Sequence, residues 1–237
     1  MRIQLLAIAL AISPAILHAD ALTDLRAALA RLPATAPVHG TLDVTSVSTN
    51  NEEEKPDTGK ATVGFDAGDA GLRILYPRGT ILLANQEARG EAIDPERSTP
   101  VRSGLRHVRP LHVAELLDAA ASLNVFLQNA QLVQTKGRVI VLKLAPKLSK
   151  AANKHMKKVE STLTLTLGDD GVPIAAERTT YIKASLLLIS FESDQKESWT
   201  YARSGDRLVT TRYEETEKAG GFGQHQSSHT TEVIRLE

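Results

Sequence analysis

The chain contains no cysteine. Disulfides and thiolate metal sites are therefore excluded, as is a lipoprotein acylated on its first residue. Aromatic side chains are scarce, nine among 237 residues. None is interleaved with the lysines in the way a stacking platform for single-stranded nucleic acid requires. No apolar run reaches the about 20 residues that a membrane-spanning helix needs. The run at residues 3–12 stops at Ser13-Pro14. There is no excess of either charge, with 28 basic and 28 acidic residues. No Gly-x-Ser-x-Gly element marks a nucleophile, and no carboxylate-histidine motif marks a metal centre.

What is present begins at the N-terminus. Arg2 precedes the short apolar run, and Ser13-Pro14-Ala15-Ile16-Leu17-His18-Ala19-Asp20-Ala21 supplies a breaker and small residues. This is the pattern of a secretory leader, cut after Ala19 or after Ala21. The expected location is then the periplasm. The expected product, residues 22–237, is one β-rich domain, and about 216 residues bury an adequate core without disulfides.

Charge is neutral overall but unevenly distributed. Residues 97–158 hold twelve Lys/Arg against Glu115 and Asp118, a net of +10, while each flank carries −5. Such an asymmetry suits a solvated face balanced in space by the acidic flanks, or a docking surface for an anionic partner.

Periodicity predicts a helix over residues 20–33, with Leu22, Leu25, Leu29 and Leu32 at helical spacing. Alternation then predicts strands over 38–48 and 60–66, joined by a polar loop. Two more strands are expected at 72–76 and 80–85, around the turn residues Pro77-Arg78-Gly79. Residues 86–109 are polar, Arg-rich and interrupted by prolines. From Pro110 to about residue 128 the pattern is helical again. A strand pair is expected at 130–135 and 138–145, then a short helix or basic loop at 147–158. Residues 161–167 alternate leucine with threonine or serine, and Gly168-Asp169-Asp170-Gly171 is a turn. Further strands are expected at 173–183, 185–192, 197–203 and 207–215, with a turn at Asp194-Gln195. A Gly/Gln/Ser loop at 220–228 precedes a last strand at 230–236. The fold class is mainly β (α+β): a curved antiparallel sheet or half β-barrel with an N-terminal helix and a central helical insertion.

The segment Asp69-Ala70-Gly71-Leu72-Arg73-Ile74-Leu75-Tyr76-Pro77 places an arginine among apolar residues ahead of a proline. Leu165-Thr166-Leu167-Gly168-Asp169-Asp170-Gly171-Val172-Pro173 is a strand, a turn and the start of a strand. With the order of leader, amphipathic helix, hairpins, helical insertion and further strands, the chain resembles the periplasmic lipoprotein-carrier superfamily. The resemblance covers most of residues 22–237 in outline. It implies an open curved sheet wrapped around helices, and carriage of a lipid or acylated protein. The long basic middle and the few aromatics depart from that superfamily's pattern.

Leucines at Leu163, Leu165, Leu167 and Leu188 are the candidate ligand-binding residues, lining either a closed core or an apolar cavity able to hold an acyl chain. Lys147, Lys150, Lys154, Lys157 and Lys158 recur without an intervening acid and are the candidate docking residues for an anionic membrane surface or an acidic protein. His225 and His229 sit in poor helix chemistry and read as loop residues, and Asp169-Asp170-Gly171 reads as a hairpin turn and not a calcium loop. No catalytic residue, metal ligand or cofactor is expected, nor is nucleic acid a partner. The expectation is a non-enzymatic periplasmic binding or carrier protein for a lipid, an acylated protein or another amphiphile. An envelope interaction or sensor module with a closed core is the second reading, and an enzyme assembled from distant residues the third.

Overall fold

A computed structural model describes residues 14–51, 55–94, 97–145, 156–186, 189–221 and 223–237, the side chains of 14–20, 186 and 189 excepted. Every strand pairing in it is antiparallel. Chain order runs α1 (Pro14–Ala30), β1 (Val38–Asn50), β2 (Asp57–Gly68), β3 (Gly71–Leu75), α2 (Arg78–Ile93), α3 (Pro100–Leu105), α4 (Pro110–Leu117) and α5 (Ala119–Leu127). It continues through β4 (Ala130–Lys136), β5 (Val139–Leu144), β6 (Met156–Leu167), β7 (Pro173–Leu186), β8 (Ile189–Ser204), β9 (Arg207–Gly221) and β10 (Gln224–Leu236). The strands form one curved sheet in the order β3-β2-β1-β10-β9-β8-β7-β6-β5-β4, and it does not close into a barrel. The pairing of β1 with β10 lets the N-terminal hairpin extend the sheet beyond its last strand.

Period-two alternation builds the sheet's inward face. Leu42 and Val44 of β1, Val63 and Phe65 of β2, Ile140 and Leu142 of β5, and Leu163 and Leu165 of β6 are all buried. Two helical units cover that face. α1 and α5 lie over β4–β8, where Leu25, Leu29, Leu123 and Leu127 meet the β5 and β6 leucines. α4 lies over β1, β2, β9 and β10 through Val113, Leu116 and Leu117. Trp199 of β8 packs against both clusters.

The helix expected over 110–128 is two helices. Asp118 ends α4 in a non-helical conformation and then caps α5, its carboxylate accepting from the Ala121 amide at 3.1 Å. Arg26 of α1 donates to the Leu127 carbonyl at 2.8 Å, closing the far end of α5.

Several expectations are corrected. Residues 185–192 are not one strand, because β7 ends at Leu186 and β8 begins at Ile189. Residues 80–85 are not a strand but part of α2. Ile81, Leu82 and Leu83 are consecutive, which breaks period two, and the good helix formers after them carry a 16-residue helix. Asp194-Gln195 is not a turn, because β8 runs through it from 189 to 204. Residues 220–228 are not an irregular loop: β9 and β10 pair up to Gly221 and Gln224. The basic segment is strand from Met156 onward, so Lys157 and Lys158 are exposed β6 residues, while Lys147, Lys150 and Lys154 lie outside the described residues.

α3 approaches β2 more closely than side chains allow. A Cβ built on Gly104 comes within 2.7 Å of the Lys60 and Ala61 backbone, and one on Gly59 comes within 2.8 Å of the Gly104 amide. Gly104→Ala is therefore expected to cost about 1–3 kcal/mol through overpacking. Gly79→Ala, where an added Cβ meets nothing within 4 Å, should stabilise by about 0.5 kcal/mol. Urea midpoints of the two variants check both signs.

Candidate functional site

Along the inward face the residue type changes from apolar to polar. One register row across the sheet reads Val44, Glu232, Tyr213, Trp199, Ala176 and Leu165. The next reads Ser46, Thr230, Glu215, Glu197, Arg178 and Leu163. Cross-strand neighbours on one face lie within reach of each other, so the polar members of these rows bond laterally. Arg178 and Glu197 form an ion pair. The Tyr213 hydroxyl donates to Glu197 at 3.2 Å, and Gln195 donates to Glu215 at 2.6 Å. One strand position on, the Ser193 hydroxyl donates to Glu217 at 3.2 Å.

α4 and α5 complete this tier from above. His112 Nε2 lies 2.9 Å from Glu232, and its ring meets Tyr213 edge-on at 5.3 Å. The Arg178 guanidinium lies 4.8 Å from the Phe126 ring centre and 5.9 Å from that of Trp199, a cation beside a pair of aromatic rings.

Burial and pairing set the charges. Desolvation raises the Glu197 carboxyl above its ordinary value although Arg178 opposes the shift. Tyr213 is driven upward by burial and by the Glu197 and Glu215 carboxylates, and its phenol stays protonated. Burial is the largest influence on His112 and lowers it, but the hydrogen bond and the charge of Glu232, with Glu115, together outweigh it and the net shift is upward. His107 moves the other way, lowered by burial despite Glu232 and Glu215.

Between this tier and the helices runs an open groove of about 840 Å³. Leu116, Ala121 and Phe126 form its helical wall, Trp199, Glu197 and Glu215 its floor, and Leu72 of β3 one end. A second depression of about 280 Å³ continues past Phe126 over Ser161 and Thr180. Four of the nine aromatic residues, Phe126, Trp199, Tyr201 and Tyr213, line the larger groove. The arrangement offers apolar and aromatic surface beside paired donors and acceptors, which suits a ligand with an apolar body and a polar group.

The sequence-derived residues lie elsewhere. Leu163 and Leu165 are fully buried beneath α1 and α5, Leu167 packs at the margin of that cluster, and Leu188 lies outside the described residues. The groove is lined by other side chains. Lys157 and Lys158 are exposed on β6, where Lys158 pairs with Glu160 at 2.9 Å and lies 5.4 Å from the Tyr181 ring. His229 bonds Thr216 at 3.0 Å from β10. Asp170 caps its own turn, bonding the Val172 amide at 3.1 Å and Arg203 at 3.0 Å. Among the described residues, no three His, Asp or Glu side chains gather as metal ligands, and no helix is long and apolar enough to cross a membrane.

Sequence reasoning missed Arg178, Gln195, Glu197, Glu215 and His112. A signal existed in the alternation Ser193, Gln195, Glu197, Trp199, Tyr201, which puts five residues on one face of one strand. No protein-family model matches the chain, and no curated protein sequence matches it.

The histidine shift has a measurable sign. A raised folded-state value means His112 contributes stability fully below its ordinary value of 6.5 and loses it as pH rises through the folded value. The melting-temperature difference between wild type and His112→Gln should be largest under mildly acid conditions and shrink above neutrality. His107, lowered chiefly by burial, acts oppositely in both proteins and largely cancels from that difference, since His112 is the smallest of the influences on it.

Proposed function

We propose that this protein is a non-enzymatic binding or carrier protein of the bacterial envelope, and that its groove takes an amphiphile such as a lipid or an acylated protein. The observation that carries the reading is the amphipathic lining: Leu72, Leu116, Phe126 and Trp199 beside Arg178, Glu197, Glu215 and Tyr213 in one open groove. An apolar chain would lie against the helical wall. Its polar group would exchange bonds with a tier that presents both donors and acceptors. Exposing that much apolar surface to water is unfavourable at about 25 cal/mol per Å², so a ligand with an apolar body gains from occupying the groove.

The leader-like N-terminus supports a periplasmic location for this activity, and either cut leaves Leu22, Leu25, Leu29 and Leu32. The resemblance to lipoprotein carriers supports the same reading, since an open curved sheet wrapped around helices is what that resemblance implies. The basic run at Lys147, Lys150, Lys154, Lys157 and Lys158 would guide docking to an anionic membrane surface or an acidic protein. The tightly packed cluster around Leu163 and Leu165 favours, at that end of the sheet, the second reading of an interaction module with a closed core.

Native mass spectrometry on protein purified from the envelope without detergent tests the proposal. A bound mass matching a lipid at near one-to-one occupancy is expected, together with uptake of a fluorescent fatty acid by the emptied protein. Ala121→Trp places a large ring on an exposed groove position and should abolish uptake while leaving the melting temperature unchanged. A clean unliganded mass with no fatty-acid uptake would replace the carrier reading with the interaction module.

A further inference from the structure

Exposed apolar side chains are not spread evenly over this protein. Of twelve large hydrophobic residues exposed among the described ones, six fall between residues 75 and 93: Leu75, Tyr76, Ile81, Leu82, Leu83 and Ile93. They belong to the end of edge strand β3 and to α2. Such a concentration marks a surface meant to be covered.

α2 is attached to the body by its polar side. Gly90 is its only buried residue, and a Cβ there would meet the Arg97 side chain at 2.8 Å. Both helix glutamates are used inward. The Glu87 carboxylate accepts from the Val101 and Arg102 amides at 3.0 and 2.9 Å, at the start of α3. Glu91 pairs with Arg102. At 100° per residue, Arg78, Ile81, Leu82, Asn85, Arg89, Ala92 and Ile93 share one arc about 120° wide, and all are exposed, Ile81 at 48%, Leu82 at 53% and Ile93 at 87%. That arc contains no acid. The acids lie on the far side of the helix, where they hold α3.

We propose that this face of α2, with Leu75 and Tyr76 at its entrance, docks onto an anionic phospholipid bilayer. Its composition selects that occupant. Isoleucine and leucine with arginine and no carboxylate is the chemistry of a helix lying in the headgroup layer: the apolar side chains enter the acyl boundary while the arginines extend their charge to the phosphates. A second copy of this chain fits poorly. A two-fold pairing of the face on itself would gather Arg78 and Arg89 of both copies into one interface with no acid on the paired arcs to neutralise them. The helix is also separate in sequence from the basic run at 147–158. The inference rests on the envelope reading only in that a membrane must be within reach; it does not require the groove to be filled.

The absence of native cysteine makes the test direct. Leu82→Cys, labelled with an environment-sensitive fluorophore, should shift its emission to the blue on vesicles containing phosphatidylglycerol and show no shift on pure phosphatidylcholine. Arg78→Gln and Arg89→Gln should each weaken vesicle partitioning about fivefold, the factor that about 1 kcal/mol per arginine near a charged surface implies. Ile81→Ser with Ile93→Ser should weaken it further. All of these positions are exposed, so the variants should fold, and fluorescent fatty-acid uptake measured on the same samples should be unchanged. That readout separates failure of this proposal from failure of the groove reading. An unshifted probe on anionic vesicles would overturn the proposal. So would binding that the α2 variants retain in full and that Lys150→Gln, Lys154→Gln, Lys157→Gln and Lys158→Gln together abolish. A vesicle-free dimer that Leu82→Asp dissociates would overturn it in favour of a second copy.

Discussion

A carboxylate on the inward face of a sheet limits how far helices can cover that face, and here the limit is set by Glu197. Its side chain is 8% exposed, paired with Arg178 and bonded by the Tyr213 hydroxyl. Removing one partner of such a pair leaves a buried charge and costs several kcal/mol, about 3–5 in measured cases. The pair must therefore be kept whole, and keeping it whole requires a neighbourhood that leaves room for a guanidinium. α5 meets this by presenting Phe126, whose ring lies 4.8 Å from the Arg178 guanidinium. The helical layer fits tightly over the leucine ends of these rows, at Leu163 and Leu165, and stands off from the Glu197 and Glu215 members. The groove is the space that results.

The same constraint explains why the core is in two parts. One cluster joins α1 and α5 to β4–β8, and the other joins α4 to β1, β2, β9 and β10. Trp199 belongs to the margin of both and lies one register row from Glu197. Its indole and the Tyr213 ring, 5.6 Å apart, form the apolar step between the clusters. Beyond that step the inward face is polar, and His112 reaches down from α4 to close the tier at Glu232. The Asp118 break between α4 and α5 lets the two helices follow the curvature of the sheet, each directed at its own cluster.

Most of the strands were legible because burial imposed period two on them. Residues 161–167 alternate leucine and small polar residues, and the structure buries Leu163 and Leu165 on the inward side. The helix at 20–33 was legible for the same kind of reason, since Leu25, Leu29 and Leu32 meet one core. The failures share a cause. Asp194-Gln195 reads as a turn on the assumption that a strand's inward residues are apolar, yet Ser193, Gln195 and Glu197 all face inward and bond across to β9 and β7. The polar row that hid the strand is the row that forms the candidate site. α2 was hidden differently: its exposed face is apolar and its packing face acidic, the inverse of the pattern by which a surface helix is recognised.

That inversion ties α2 to the groove through β3. Leu72 of β3 borders the groove, while Leu75 and Tyr76, three and four residues on, lead through Pro77 into α2. At about 3.3 Å per residue, a five-residue strand spans roughly 17 Å, less than half of a bilayer's full thickness of about 40 Å. With α2 seated in the headgroup layer, the Leu72 end of the groove lies within one short strand of the lipid surface. An acyl chain leaving the bilayer at that point meets apolar groove wall before its full length is exposed to water, and each methylene kept out of water is worth about 0.8 kcal/mol. The edge position of β3 matters for the same reason: among the described residues it has β2 on one side and no strand on the other, and of the two sheet edges it is the one that leads directly into α2.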